Sequence, residues 1–151
     1  MKIELKPIAF VKNSRTEPID DNWSDVISEI VLTEEVPIHS LQGIDSFSHL
    51  EILYYFDKVK PSEIVYENHP RGNPNYPKVG IFAQRKKDRP NQLGICTVEL
   101  LKVVGKRLIV KYLDAIEGTP VLDIKPVFRD FEPQSPIRQP RWATDLMKHY
   151  W

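Results

Sequence analysis

Residues 50–57, LEILYYFD, alternate strictly. Leu50, Ile52, Tyr54 and Phe56 fall on one side of an extended chain, and Glu51, Leu53, Tyr55 and Asp57 on the other. A period of two is the mark of a strand that buries one face. Similar runs occur at 3–11, 26–33, 79–84, 95–104 and 108–113, separated by turn-forming residues. Short strands at this spacing predict a β sandwich or barrel rather than alternating βαβ units. Thirteen prolines against six glycines argue against long helices, because proline removes a backbone donor and breaks the helical ladder. PIHSLQGIDSF, 37–47, has room for one helical turn. QPRWATDLMKHYW, 139–151, has the best helical spacing, with Trp142, Leu146 and Tyr150 recurring every four residues and Pro140 near the start. Residues 58–77 carry no clear period and read as a long loop. The expected architecture is mostly β: a small single-domain barrel over 1–137, followed by a short C-terminal helical tail over 138–151.

Composition narrows the class. At 151 residues, 41% apolar and 28% charged, the chain can bury a sizeable core. No apolar run reaches the ~18 residues of a membrane span. The start, MKIELKPIAF, is too charged for a secretory signal, so a cytoplasmic protein is expected. Cys96 is the only cysteine, which excludes a disulfide framework and a cysteine-based zinc site. His39, His49, His69 and His149 show no metal-ligand spacing, and no metal is expected.

Charge adds a pattern, not a net sign. Lys plus Arg and Asp plus Glu balance at 21 each. Yet residues 17–35 hold seven acids and no Lys or Arg, while 68–90 hold six bases against Asp88 alone. Such separation permits a basic footprint for an anionic partner, and equally two solvated edges. The densest basic stretch, QRKKDRPN at 84–91, follows an apolar run and is bent by Pro90. Arg85 there reads either as a surface ion pair with Asp88 or as a ligand for a carboxylate or phosphate. Arg89-Pro90-Asn91 reads as a turn. His49 shares a strand face with Phe47, Glu51, Leu53 and Tyr55, as a hydrogen-bonded core histidine or a general base. Of Tyr54 and Tyr55, one belongs to the core and the other could stack a base.

Four motifs occur in order: G-x-x-x-F-S-H-L at 43–50, G-x-F-A-x-R at 80–85, R-P-N-x-x-G at 89–94, and E-G-T-P-x-x-D-I-K-P at 117–126. In this order they closely resemble the TsaA-like (TrmO) family of S-adenosylmethionine-dependent methyltransferases, which act on N6-threonylcarbamoyladenosine in tRNA. The resemblance implies a small β-barrel methyltransferase, S-adenosyl-L-methionine as donor, tRNA as partner, and a homodimer with the site near its interface. The absence of a G-x-G-x-x-G loop agrees, since a doubly wound methyltransferase would show one. It also implies site residues. Arg89, Asn91 and Asp114 would be catalytic. Phe56, Asp57, Arg85, Cys96, Asp114, Ile116, Glu117, Gly118 and Thr119 would border the cofactor, with Asp114 and the exposed backbone of the following turn meeting ribose and adenine. His69, Arg71, Arg85 and Arg89 would hold substrate, and Asp123 and Lys125 would pair structurally. The chain departs from the family pattern in four ways. Its N-terminal loop NSRTEPIDDNWSDV lacks glycine, Glu117 replaces an aspartate, and Gln92 stands where proline is common. The C-terminal domain of larger members has no counterpart. Alternatives are methylation of a small amine or carboxylate, or a non-catalytic cofactor- or tRNA-binding module.

Overall fold

A computed structural model describes all 151 residues. The strands are β1 (Ala9–Lys12), β2 (Ile27–Leu32), β3 (His49–Tyr55), β4 (Glu67–Asn68), β5 (Val79–Gly80), β6 (Leu93–Val104), β7 (Arg107–Lys111) and β8 (Pro120–Pro126), with one helix, α1 (Arg141–Leu146). Six strands close an antiparallel barrel in the order β1-β2-β7-β6-β3-β8, while β4 and β5 form a separate two-stranded ladder. No helix is long and apolar enough to cross a membrane.

The period-two pattern fixes the interior. Leu50, Ile52 and Tyr54 of β3 point inward, as do Cys96 and Val98 of β6, Leu108 and Val110 of β7, Ile30 and Leu32 of β2, Ala9 and Val11 of β1, and Val121 of β8. Removing each of the larger aliphatic side chains from water stabilises the fold by about 1.5–3 kcal/mol. Register follows from that burial. Ile52 lies opposite Cys96 and Tyr54 opposite Gly94, and a slip of one residue would turn the whole face outward. Irregularities between Leu53 and Tyr54 against β8, and between Leu100 and Lys102 against β7, add the local twist that a closed barrel needs.

Several sequence expectations are corrected in detail. The first strand begins at Ala9 rather than at residue 3. The run at 79–84 is extended only over Val79–Gly80, then tightens into a 3-10 turn at Ile81–Ala83. There the Gln84 side chain donates to Asn68 Oδ1 (2.9 Å) and to the Val79 carbonyl (3.2 Å), a fold-back that no apolar period reveals. Residues 37–47 hold two 3-10 turns, Ile38–Leu41 and Ile44–Ser46, instead of one. His49 is exposed, its Nδ1 2.7 Å from Ser48 Oγ, and is no core histidine. The C-terminal helix stops at Leu146, and 147–150 continue as turns, so Tyr150 is not the third member of a helical stripe.

Candidate functional site

The most distinctive cluster gathers at one end of the barrel. β3 delivers Tyr54, β6 delivers Gly94 and Cys96, and the chain leaving β7 turns sharply at Tyr112 (φ 67°) before reaching Asp114. A non-glycine residue in the left-handed region costs free energy and persists only where its surroundings enforce it. Here Cys96 Sγ donates to the Tyr112 carbonyl at 2.9 Å. Tyr54 donates its hydroxyl to Asp114 Oδ1 (2.6 Å), and the Tyr150 hydroxyl donates to Oδ2. Asp114 is half-buried and receives a phenol on each oxygen.

Electrostatics binds these groups together. Burial first, and the negative charge of Asp114 second, push the Tyr54 and Tyr150 phenols and the Cys96 thiol well above their ordinary pKa values. The Arg85 guanidinium pulls Cys96 and Tyr150 the other way, so its charge acts on the same cluster. Arg85 does not pair with Asp88. Its Nη2 donates to the Ile95 carbonyl (2.7 Å) on the outside of β6, whereas Asp88 is held by Lys86 (3.2 Å) and Lys87 (2.7 Å). Arg85 is exposed, and of its side-chain donors only Nη2 makes a hydrogen bond. A thiol that is buried and kept protonated is a poor nucleophile. Cys96 in the native protein will therefore resist iodoacetamide at pH 8.5 and react promptly once urea unfolds the chain. Equal rates in the two states would place the thiol outside this cluster.

The other sequence-predicted residues occupy three places. Phe56, half-buried, packs edge-on against Tyr54 at 5.3 Å and joins the cluster. Arg89 turns inward, donating from Nη1 to the Gln84 carbonyl (2.7 Å) and locking the basic loop. Asn91 is exposed with φ 64°, and Gln92 follows at φ 51°. That angle is closed to proline, whose ring fixes φ near −65°, and it sends the Gln92 amide onto the carbonyls of Phe56 (2.8 Å) and Val59 (3.0 Å). Asp57 is exposed and pairs with Lys58 at 3.4 Å.

The turn 116–119 is stapled to the N-terminal loop rather than left open. Glu117 N–H donates to the Arg15 carbonyl and Gly118 N–H to that of Val11, both at 2.8 Å. The Glu117 carboxylate accepts from Asn13 N–H, and the buried Thr119 hydroxyl donates to the Ile116 carbonyl (2.7 Å). The expected exposed backbone groups of this turn are thus taken, at least at Glu117 and Gly118. His69 and Arg71 lie in the loop before β5. His69 Nδ1–H donates to the Tyr76 carbonyl (2.7 Å), and Arg71 pairs with Asp21 (2.9 Å). This last contact joins the acidic and basic runs that the sequence sets apart. Asp123 and Lys125 do pair, at 3.0 Å.

The structure therefore brings together Phe56, Arg85, Cys96 and Asp114, and leaves Asp57, His69, Arg71, Arg89 and Asn91 in the surrounding loops with other partners. Sequence reasoning missed Tyr112 and Tyr150. Nothing in the sequence signals a positive φ at a tyrosine, and the apparent helical spacing concealed what Tyr150 touches. No group of three or more His, Cys, Asp or Glu could hold a metal ion. An anionic acceptor flanked by aromatic rings, with a guanidinium alongside, suits a small ligand carrying both a positive and a negative group.

Comparison with known proteins narrows that ligand. The sequence profile described as the tRNA-methyltransferase O N-terminal domain matches residues 9–132. A protein of Archaeoglobus fulgidus named S-adenosyl-L-methionine-binding protein is 37% identical over 125 residues, covering 80% of this chain and 86% of that one. A probable S-adenosyl-L-methionine-binding protein of Methanothermobacter thermautotrophicus is 35% identical over 87% of this chain and 95% of its own. The human tRNA (adenine(37)-N6)-methyltransferase is 36% identical over 113 residues, but the match spans only 23% of that protein. Among solved structures, TrmO from Pseudomonas aeruginosa superposes with a TM-score of 0.73 at 24% identity, over 91% of this chain and 62% of that one. The profile match runs from the first barrel strand to beyond the last, and it includes all four motifs from Gly80 through Pro126 and Gly43 through Leu50; on that extent the chain belongs to the family of tRNA-methyltransferase O N-terminal domains.

Proposed function

We propose that the protein transfers a methyl group from S-adenosylmethionine to N6 of threonylcarbamoyladenosine in the anticodon loop of tRNA, acting as a homodimer. The coarser part of this reading, an S-adenosylmethionine-dependent tRNA methyltransferase, rests on membership of the family and on relatives named for cofactor binding and for tRNA methylation. The finer substrate rests on the motif resemblance and on one observation of this chain: Arg85, with unused donors, stands beside the Asp114 cluster at the rim of the barrel.

The residues present fit the cofactor. When bound, S-adenosylmethionine supplies an electrophilic methyl on a sulfonium, so the protein needs to align donor and acceptor more than to form covalent bonds. Asp114 would accept from the ribose hydroxyls, and the half-buried ring of Phe56 would border the positively charged region. Arg85 would hold the substrate carboxylate or stabilise charge developing on the carbamoyl oxygens. Arg89 and Asn91 serve by shaping the loop that carries Arg85. Phe82, Tyr66 and Ile95 are exposed by 79%, 72% and 46%, and Tyr66 bonds Ile81 while Ile95 bonds Arg85. A second copy covering these side chains would place the interface beside the site.

Arg85→Ala tests the assignment. Removing one preorganised donor to a developing anion typically costs about 10²–10³ in rate, so methyl transfer to tRNA falls at least a hundredfold. The exposed side chain leaves thermal stability almost unchanged. Normal turnover by this variant removes Arg85 from the mechanism. Calorimetric titration of the wild-type protein with S-adenosylmethionine, with ATP as control, tests the cofactor assignment separately.

A further inference from the structure

The last eleven residues lie beyond the part of the chain that matches the family, yet they reach the Asp114 cluster. Tyr76 and Trp142 rings approach to 6.4 Å. Asn22 N–H donates to the His149 carbonyl and Trp23 N–H to that of Tyr150, both at 2.9 Å. Trp151 stands edge-on to Tyr112 at 5.7 Å and to Tyr150 at 4.9 Å. The tail thus ties the N-terminal loop, the loop before β5 and the exit of β7 to one another, and it inserts the Tyr150 hydroxyl against Asp114 Oδ2.

We infer that Tyr150 is a positioning residue for the cofactor site: with Tyr54 on the opposite oxygen, it fixes the plane of the Asp114 carboxylate and closes the wall of the site with the segment that follows α1. A carboxylate offers about four acceptor positions, and the two phenols occupy one on each oxygen. The remaining lone pairs are left in a set orientation for a ligand's hydroxyl or ammonium donors. Losing one phenol frees the carboxylate to rotate, and a ligand must then order it on binding. The inference rests on the proposed cofactor reading, with Asp114 as its acceptor.

The experiment is a double-mutant cycle on the full chain, read by calorimetric titration with S-adenosylmethionine. Tyr150→Phe keeps the ring in its packing and removes only the hydroxyl. We expect about tenfold weaker binding, the equivalent of one net hydrogen bond of about 1.4 kcal/mol, with an unchanged near-ultraviolet circular dichroism spectrum. Asp114→Asn weakens binding further, and adding Tyr150→Phe to it costs nothing more, because Tyr150 acts through Asp114. A merely structural tyrosine would give losses that add. Wild-type affinity in Tyr150→Phe overturns the inference. Tighter binding also overturns it and makes the tail a strap that the cofactor displaces. Absence of binding by the wild-type protein removes the cofactor reading and this inference with it.

Discussion

Gly94→Ala should unfold or severely loosen the protein, although it adds a single methyl group. Gly94 lies in β6 opposite Tyr54 of β3. A Cβ at this position would meet Tyr54 Cε2 at 2.4 Å, Tyr54 Cζ at 2.6 Å and Phe56 Cζ at 2.9 Å. Neither ring can yield cheaply. Tyr54 is 2% exposed and tethered through its hydroxyl to Asp114, and Phe56 packs against it. Overpacking costs about 1–3 kcal/mol, and displacing the Tyr54 ring would orphan a buried hydroxyl for about 1–3 kcal/mol more. A loss of roughly 2–6 kcal/mol is a large fraction of a domain's stability and lowers Tm by about 5–20 °C in a chain of this size. Gly80→Ala is the control. Its Cβ would meet nothing nearer than the Tyr66 carbonyl oxygen at 3.9 Å, so the change stays within about 0.5 kcal/mol. Thermal unfolding of the two variants decides the matter: similar Tm values would mean that the Tyr54 ring does not lie over Gly94. If the site is as described, Gly94→Ala also loses cofactor binding, because Asp114 loses Tyr54.

Gly94 illustrates what the sequence could and could not tell. The motif R-P-N-x-x-G marks the position, and the period-two pattern places it on an inward face, yet only the cross-strand register shows a tyrosine ring resting on it. The barrel itself was legible because alternation is imposed by burial, and burial is encoded residue by residue. Val79–Gly80 was read too long because Ile81, Phe82 and Ala83 are apolar in a 3-10 turn as they would be in a strand. The membership of the Asp114 cluster was legible where residue type carries it, as at Asp114, Arg85 and Cys96. It was illegible where function follows geometry. Arg89 and Arg71 have the chemistry to hold anions, but backbone carbonyls and Asp21 already occupy them in part. Tyr150 looked like one step of a helix, and its role depends on a chain reversal after Leu146 that no spacing announces.

Stability should fall steeply above pH 9, and by an amount that the Asp114 cluster sets. Burial holds Tyr54, Tyr150 and Cys96 protonated in the fold, with the Asp114 charge adding to the effect. In the unfolded chain the thiol ionises near about 8.5 and the phenols near about 10. A group whose pKa is raised by folding contributes its full stability below the unfolded value and loses it as pH rises towards the folded one. Above pH 8.5 the unfolded chain has released a proton that the fold still binds, and above pH 10 it has released three from these groups. Each such proton lowers stability by about 1.4 kcal/mol per pH unit, so the combined slope approaches roughly 4 kcal/mol per unit past pH 10. Because the groups pack around one carboxylate, opening this end of the barrel exposes all three together. Urea midpoints measured from pH 8 to pH 11 should drop accordingly. Absorbance at 295 nm should show two of the six tyrosines ionising only as the protein unfolds. Tyr150→Phe removes one titrating group and makes the alkaline slope shallower by about 1.4 kcal/mol per unit. A flat profile, with all six tyrosines titrating in the native state, would mean that the phenols around Asp114 are open to water. The hydrogen-bonded acceptor on which both the fold at this end of the barrel and the proposed site depend would then be absent.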